Sequence, residues 1–114
     1  MLNYDLHCHS NVSDGLLPPA ELVARAADRG VKVMALTDHD DVSGLAEAAS
    51  AASQHDMEFI NGVEISVSWR SHTLHIVGLN IDPENANLLA GLKSVRDAYR
   101  SQTLSVANSL HKTV

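Results

Sequence analysis

The fold class of this chain is indicated by Val31-Lys32-Val33-Met34-Ala35-Leu36-Thr37, followed at once by Asp38-His39-Asp40. Its first seven residues form a nearly continuous apolar run. Such a run is typical of a parallel β-strand that is covered on both faces. Polar residues then stand at the carboxyl end of the strand, where ligands collect in α/β sheets and barrels.

The segments on either side of this strand alternate between strand and helix patterns. We predict these segments in chain order: a strand over 3–8, a helix over 19–29, the strand over 31–37, a helix over 43–54, an extended segment over 57–60, a hairpin of 62–69 and 73–81, and a helix from 87 to the end. The candidate buried positions of the last helix are Leu88, Leu89, Leu92, Val95, Leu104 and Leu110. Asp41 or Ser43 is the expected N-cap of the second helix. The order βαβαββα indicates an α/β domain with a parallel sheet and one hairpin.

The first strand ends in Asp5-Leu6-His7-Cys8-His9-Ser10. Residues two apart on a strand point to the same side, so His7 and His9 would present both imidazoles to one point. Asp5 would lie on the same face, where its carboxylate could orient a ring. An HxH pair alone is weak, because two strand histidines can equally bond the backbone. The pair gains weight from similar residues elsewhere.

Further metal-ligand residue types stand at the ends of the other predicted strands. Asp14 lies in the loop after the first strand, His39 ends the second strand, and Glu64 lies on the third. Asp14 could instead be a simple turn residue, and Glu64 could be solvent-exposed. Asp38 is expected to support a ligand rather than to bind metal. Asp40 and Asp41 are expected to be structural, or to support a ligand, more often than to bind metal.

The hairpin supplies a geometric test. If its loop is Arg70-Ser71, Trp69 pairs with His72 and Glu64 lies opposite Val77. His75 is two residues from Val77, so Glu64 and His75 would share one face as diagonal neighbours about 7–8 Å apart. A three-residue loop would place His75 on the other face.

Imidazole and carboxylate ligands in this number suit a hydrolytic metal site. A divalent ion lowers the pKa of bound water toward about 7, and two ions about 3.5–4 Å apart can clamp the oxygens of a phosphate. Mixed histidine and carboxylate donors fit zinc, manganese or iron, with little discrimination among them.

Bulk properties exclude several classes of function. At 114 residues and 45% hydrophobic content, the chain is one domain or part of one. A net charge of −6 argues against binding to extended duplex nucleic acid. No segment reaches the ~20 apolar residues of a membrane span. The single cysteine cannot form an internal disulfide, which favours a cytoplasmic location.

Four motifs in register resemble the PHP (polymerase and histidinol phosphatase) family. These motifs are Asp5 to Ser10, Ser13-Asp14-Gly15, Leu36 to Asp40, and Asn61 to Ser66 with His75 to Leu79. The run from Gly62 to Leu79 looks most like the bacterial nucleotide 3',5'-bisphosphate phosphatases and the related 5'-to-3' exoribonucleases.

The resemblance implies a distorted (β/α)7 barrel with up to three divalent ions, Mn²⁺, Zn²⁺ or Fe²⁺. In that family pattern His7, His9 and Glu64 would hold one ion, Glu64 and His75 a second, and Asp14 and His39 a third. Asp5 would support a ligand. Family members are more than twice as long, so residues 1–114 are expected to be the N-terminal portion of a longer domain. Self-association is another way to cover an incomplete barrel.

The implied activity is hydrolysis of a phosphate ester of a nucleotide or short oligonucleotide by a metal-bound hydroxide. Two alternatives stay open at this point. Histidinol phosphate or another small phosphomonoester could be the substrate. The chain could also be a non-catalytic metal-binding module, or an inactive part of an enzyme.

Overall fold

The computed structural model describes residues 2–113, with only the backbone described at 109 and 111–113. Seven elements follow in chain order: β1 Tyr4–Asp5, α1 Pro19–Asp28, β2 Val33–Leu36, α2 Leu45–Gln54, β3 Glu58–Trp69, β4 His72–Leu79 and α3 Ala86–Thr113. The predicted order βαβαββα is therefore confirmed. The four strands form one sheet in the order β1-β2-β3-β4, with β1, β2 and β3 parallel and β4 antiparallel to β3.

Strand β2 is the centre of the core, as its apolar sequence predicts. All four of its residues are buried, with Met34 and Leu36 fully enclosed. Helix α1 contributes Val23 to the same core, and helix α2 contributes Ala48 and Ala52. The alanine-rich face of α2 allows close approach of that helix to the sheet, because each side chain is a single methyl group.

Strand β1 is shorter than predicted, since residues 6–8 leave the sheet ladder. The Cys8 amide donates to the side-chain hydroxyl of Thr37 at 3.1 Å, and the Thr37 amide donates to the Cys8 carbonyl at 2.9 Å. A side-chain hydroxyl thus replaces one backbone partner. The segment that carries His7 and His9 stays tied to the end of β2 without being a regular strand.

The C-terminal end of α1 and the start of α2 are each fixed by a local hydrogen-bonding motif. Helix α1 ends in a Schellman motif, in which Gly30 at φ 86° lets the Val31 amide reach the Ala26 carbonyl at 3.0 Å. The predicted N-cap of α2 is wrong. Gly44 occupies that position without a side-chain bond, and the Asp41 carboxylate instead accepts from the Ser43 amide at 2.8 Å. Asp41 therefore closes an Asx turn ahead of the helix.

The hairpin has the predicted two-residue loop. Arg70 and Ser71 adopt positive φ angles of 46° and 67°, which suit a tight turn between twisted strands. Trp69 pairs with His72, and Glu64 lies opposite Val77, so the predicted register is confirmed. Residues 57–60, predicted as a separate extended segment, are in part the beginning of the single 12-residue strand β3.

Helix α3 extends beyond the sheet. Its 28 residues span about 42 Å, and the radius of gyration of 16.2 Å exceeds the ~13 Å typical of this chain length. Leu92 is buried as predicted, and Leu88 and Val95 are half-buried. The expectation of burial was wrong for three other positions on this helix, Leu89, Leu104 and Leu110, which are exposed. Within residues 2–113 no helix has the length and apolar character to cross a membrane.

Replacing glycine by alanine should change the free energy of unfolding in opposite directions at two positions. A Cβ on Gly62 would lie 2.8 Å from the Thr37 Cγ2 atom and 3.0 Å from the Leu36 carbonyl oxygen, whereas a Cβ on Gly91 would meet nothing within 4 Å. Gly62→Ala should lower the free energy of unfolding by about 1–3 kcal/mol through overpacking. Gly91→Ala should raise it by about 1 kcal/mol through helix propensity. Urea unfolding of both variants measures the difference, and equal effects would contradict the tight packing of β3 on β2.

Candidate metal centre

Glu64, on strand β3, lies at the middle of a group of four imidazoles. Only 6% of this residue is exposed. Its Oε1 atom forms a hydrogen bond with His7 Nε2 and lies 3.4 Å from His9 Nε2. Its Oε2 atom lies 3.4 Å from His39 Nδ1 and 3.5 Å from His75 Nδ1. One buried carboxylate therefore faces four histidines from three separate segments of the chain.

Asp14 forms the second acidic position of the cluster, and its side chain is 66% exposed. Its two carboxylate oxygens lie 3.6 Å from His9 Nδ1 and 3.3 Å from His39 Nε2. His9 and His39 stack with ring centroids 4.4 Å apart and an interplanar angle of 15°. Each of these two rings thus faces Glu64 with one nitrogen and Asp14 with the other.

The six residues form three overlapping groups, and within each group the ligand atoms lie within 4.8 Å of one another. The groups are His7, His9 and Glu64; His9, Asp14 and His39; and His39, Glu64 and His75. A neutral imidazole has one lone pair, so His9 and His39 can each serve one of their two groups at a time. All six residues predicted as ligands are brought together, and their binding roles stay a prediction.

The donor atoms fit a divalent cation. The Nδ1 atom of His9 is buried and has no hydrogen-bond partner among the described residues. A buried polar atom without a partner is costly, and a cation between His9 and Asp14 would satisfy it. The mixed imidazole and carboxylate set is the one that zinc, manganese and iron accept.

Glu64 is held in its ionised form. Burial by itself would raise the pKa of this carboxyl, but the hydrogen bond from His7 and the charges of His39, His7 and His9 lower the pKa below its ordinary value. A carboxylate that is already deprotonated at neutral pH can bind a cation without first losing a proton.

Asp38 fixes the loop that carries His9 and Asp14. The side chain is almost fully buried and accepts from the Ser10 amide at 2.7 Å, the Ser10 hydroxyl at 2.6 Å and the Ser13 hydroxyl at 2.8 Å. Three hydrogen bonds to one carboxylate hold the loop against the end of β2. The sequence motifs include both serines, but only the structure shows that they bind the Asp38 carboxylate.

Asp40 holds strand β3 through hydrogen bonds in a similar way. Its carboxylate accepts from the Ser66 amide at 2.7 Å and the Ser66 hydroxyl at 2.8 Å, and its own amide donates to the Glu64 carbonyl at 3.0 Å. Asp5 was expected to orient a ring. The contact the structure gives it is with the backbone amide of His7 at 3.3 Å, so its effect on the ring stays a prediction.

Cys8 lies between two predicted ligands but belongs to none of the three groups. Its thiol donates to the Ala35 carbonyl at 3.1 Å, on the side of β2. Burial, together with the nearby charges of Asp5 and Asp38, raises the pKa of this thiol to about 12. The thiol is therefore protonated and unreactive at neutral pH.

Residues 5–112 match the model of the PHP domain. The chain belongs to the PHP domain family. This PHP chain is 54% identical over 110 residues to a 3',5'-nucleoside bisphosphate phosphatase of Chromobacterium violaceum, covering 96% of the chain and 39% of the relative. It is 46% identical over 109 residues to a 5'-3' exoribonuclease of Haemophilus influenzae, covering 96% and 40%. The chain thus spans about two fifths of the length of these relatives.

Solved structures agree with the fold. An amidohydrolase from Chromobacterium violaceum, with sulfate bound and no metal, superimposes with a TM-score of 0.90 at 52% identity. A protein from Bifidobacterium adolescentis assigned as a metal-dependent phosphoesterase superimposes with a TM-score of 0.89 at 28% identity. Each match covers 97% of this chain and 39% of the other. The four strands and three helices therefore correspond to part of a PHP domain, as the motifs predicted.

Replacing Asp38 should test whether its hydrogen bonds hold the loop. Asp38→Asn removes the charge to which two serines donate, and should lower the free energy of unfolding by about 2–3 kcal/mol. Asp41→Asn is the matched control, because Asp41 accepts one bond in a more exposed turn, and should change it by about 0.5 kcal/mol or less. Urea unfolding measures both, and equal losses would show that Asp38 has no special role.

The reactivity of Cys8 provides a second test. Because the pKa of the folded thiol is raised from 9.0 to about 12, the stability it contributes is present below pH 9.0 and is lost as the pH rises toward 12. At pH 8 iodoacetamide should therefore alkylate the folded chain far more slowly than the chain unfolded in urea. Equal rates under the two conditions would contradict the buried, hydrogen-bonded position of the thiol.

Proposed function

We propose that this chain is the part of a metal-dependent phosphoesterase that holds most of its metal ligands. The observation that carries the proposal is the convergence of four histidines and two carboxylates in three overlapping groups around Glu64. The substrate would be a phosphate ester of a nucleotide or of a short oligonucleotide. The names of the two relatives support that class, one being a bisphosphate phosphatase and the other an exoribonuclease.

The proposed binding roles follow the three groups. His7, His9 and Glu64 would hold one ion, Glu64 and His75 a second, and Asp14 and His39 a third, with Mn²⁺, Zn²⁺ or Fe²⁺ as candidates. Divalent ions bound here would activate water and stabilise the negative charge that develops on the phosphate. His9 also faces Asp14, and His39 also faces Glu64, so the partition among the ions is the finer part of the proposal.

The protein's own contribution is to position and desolvate the donors. Glu64 is buried and ionised, and the hydrogen bonds of Asp38 and Asp40 fix the two segments on either side of it. Glu64 is buried, whereas the side chains of His7 and His75 are 57% and 47% exposed. The cluster is therefore open to solvent on one side, where a phosphate could approach.

The charge of the chain supports a role for cations in substrate binding. With eight basic and 14 acidic residues, the chain carries a net negative charge, which repels a phosphorylated ligand. Bound cations would reverse the sign of the potential at the cluster. The sulfate in the solved structure of the amidohydrolase from Chromobacterium violaceum is a tetrahedral anion like phosphate.

The apolar surface of β4 bears on the proposed domain organisation. Leu74 and Ile76 on one face of this strand, and Val77 and Leu79 on the other face, are exposed. We propose that these residues pack against the remainder of a longer PHP domain, in which residues 1–114 form the N-terminal portion. Self-association would cover the same surface, and light scattering distinguishes a dimer from a monomer. A cytoplasmic location, consistent with the unpaired Cys8, belongs to the same proposal.

Metal loading tests the proposal directly. The chain, stripped with a chelator and reloaded with Mn²⁺ or Zn²⁺, should retain metal after desalting. His39→Ala should lose at least about one ion per chain, because His39 belongs to two of the three groups. His55→Ala is the matched control, since His55 is exposed at the end of α2 and outside the cluster. Elemental analysis measures the ratio, and a wild-type chain that retains no metal would overturn the proposal.

Analysis of the reaction products identifies the substrate class in the same samples. The assay measures inorganic phosphate released from a nucleoside 3',5'-bisphosphate or from histidinol phosphate, and nucleoside 5'-monophosphates released from a short 5'-phosphorylated RNA. Turnover that depends on added metal and is fastest for the bisphosphate or the RNA supports the nucleotide assignment. Turnover confined to histidinol phosphate would replace it with the small-phosphomonoester alternative.

A further inference from the structure

We infer that Arg96 is a positioning residue of the metal centre, acting from helix α3 through the carbonyl of Asp40. The inference rests on the proposed metal centre. The Nη1 atom of Arg96 donates to the Asp40 carbonyl oxygen at 2.7 Å, across 56 residues of sequence. Asp40 directly follows His39, so this bond ties the distant helix to the segment that carries a predicted ligand.

Asp40 is held on all of its polar groups. Its amide donates to the Glu64 carbonyl at 3.0 Å, and its carboxylate accepts two bonds from Ser66. These three bonds all lead to β3. The remaining polar group, the carbonyl, accepts from Arg96 on α3. Arg96 therefore contributes the contact that approaches Asp40 from outside the sheet.

The backbone of Asp40 needs such support. Its φ of 53° lies in the left-handed region, which L-residues adopt only at a cost, although aspartate tolerates it better than most. A residue held there keeps its conformation because its surroundings fix it. When the carbonyl loses its partner, we expect the segment from Asp38 to Asp40 to gain freedom.

That freedom would reach the ligands of two groups. His39 faces Glu64 through Nδ1 and Asp14 through Nε2, and neither contact is shorter than 3.3 Å. Its ring is positioned by its two buried neighbours in the chain, Asp38 and Asp40, together with its stacking on His9. Outer contacts that orient a ligand typically change metal affinity by about 10–100-fold when they are lost.

Lys93 on the same helix provides a matched comparison. Its ammonium group donates at 2.8 Å to Asp97, one turn further along α3, and both side chains are exposed. Lys93→Met removes a positive charge and a hydrogen bond from α3 just as Arg96→Met does. It breaks no described contact between the helix and the cluster.

Two measurements on the full chain test the inference. In a Zn²⁺ or Mn²⁺ titration, Arg96→Met should weaken metal binding about tenfold or more relative to the wild type, and Lys93→Met should leave it unchanged. In the metal-free chain, amide hydrogen exchange of Asp40 and Glu64 should be faster in Arg96→Met than in Lys93→Met. The exchange readout reports on positioning without requiring bound metal.

The outcomes separate this inference from the proposed function. If the wild type binds metal, and Arg96→Met and Lys93→Met show the same metal affinity and the same exchange rates, the proposed role of Arg96 is overturned. The proposed metal centre is then unaffected. A wild-type chain that binds no metal would overturn the metal centre itself, and with it this inference. If Arg96→Met does not fold, Arg96→Lys, which keeps a cation but not the planar donor fork, decides by the same two measurements.

Discussion

A buried carboxylate is stable only with partners, and Glu64 finds its partners in four histidines. The central strand β3 places this side chain where β2 ends, where the segment after β1 passes, and where β4 folds back. His7, His9, His39 and His75 approach from these three directions. Removing a charge from water is costly, so a site of this kind constrains every segment that supplies a partner. The N-terminal loop, the end of β2 and the hairpin therefore all contact this one carboxylate.

The loops around Glu64 are held by a repeated device. On one side Asp38 accepts from Ser10 and Ser13, and on the other Asp40 accepts from Ser66. Each aspartate is buried, and each serine provides donors at short range. Two aspartates that flank His39 in sequence thus fix neighbouring segments on its two sides. The arrangement lets irregular backbone hold predicted ligands in fixed positions, as strands and helices usually do.

Part of the cluster could be predicted because its geometry is local. The two-residue loop at Arg70 and Ser71 sets the hairpin register, and parity then puts Glu64 and His75 on one face. The apolar run of β2 and the order of elements were predicted correctly for the same reason. The first strand was predicted too long, because the pattern cannot show that the Cys8 amide bonds a threonine hydroxyl instead of a backbone carbonyl. The N-cap of α2 was wrong because an aspartate can close a turn just ahead of the helix it was expected to cap.

Patterns in the sequence were enough to predict the element order, the hairpin register and the six residues that gather around one point. Strand parity explains the pair Glu64 and His75, and apolar periodicity explains the element order, because both patterns are local. His7 and His9 converge although their segment is not a regular strand. The packing of the elements sets which imidazole nitrogen faces which carboxylate, and it places His9 and His39 between Glu64 and Asp14. It also brought Arg96 to the carbonyl of Asp40. These contacts join residues far apart in the chain, and their geometry depends on how whole elements pack, which no local pattern specifies.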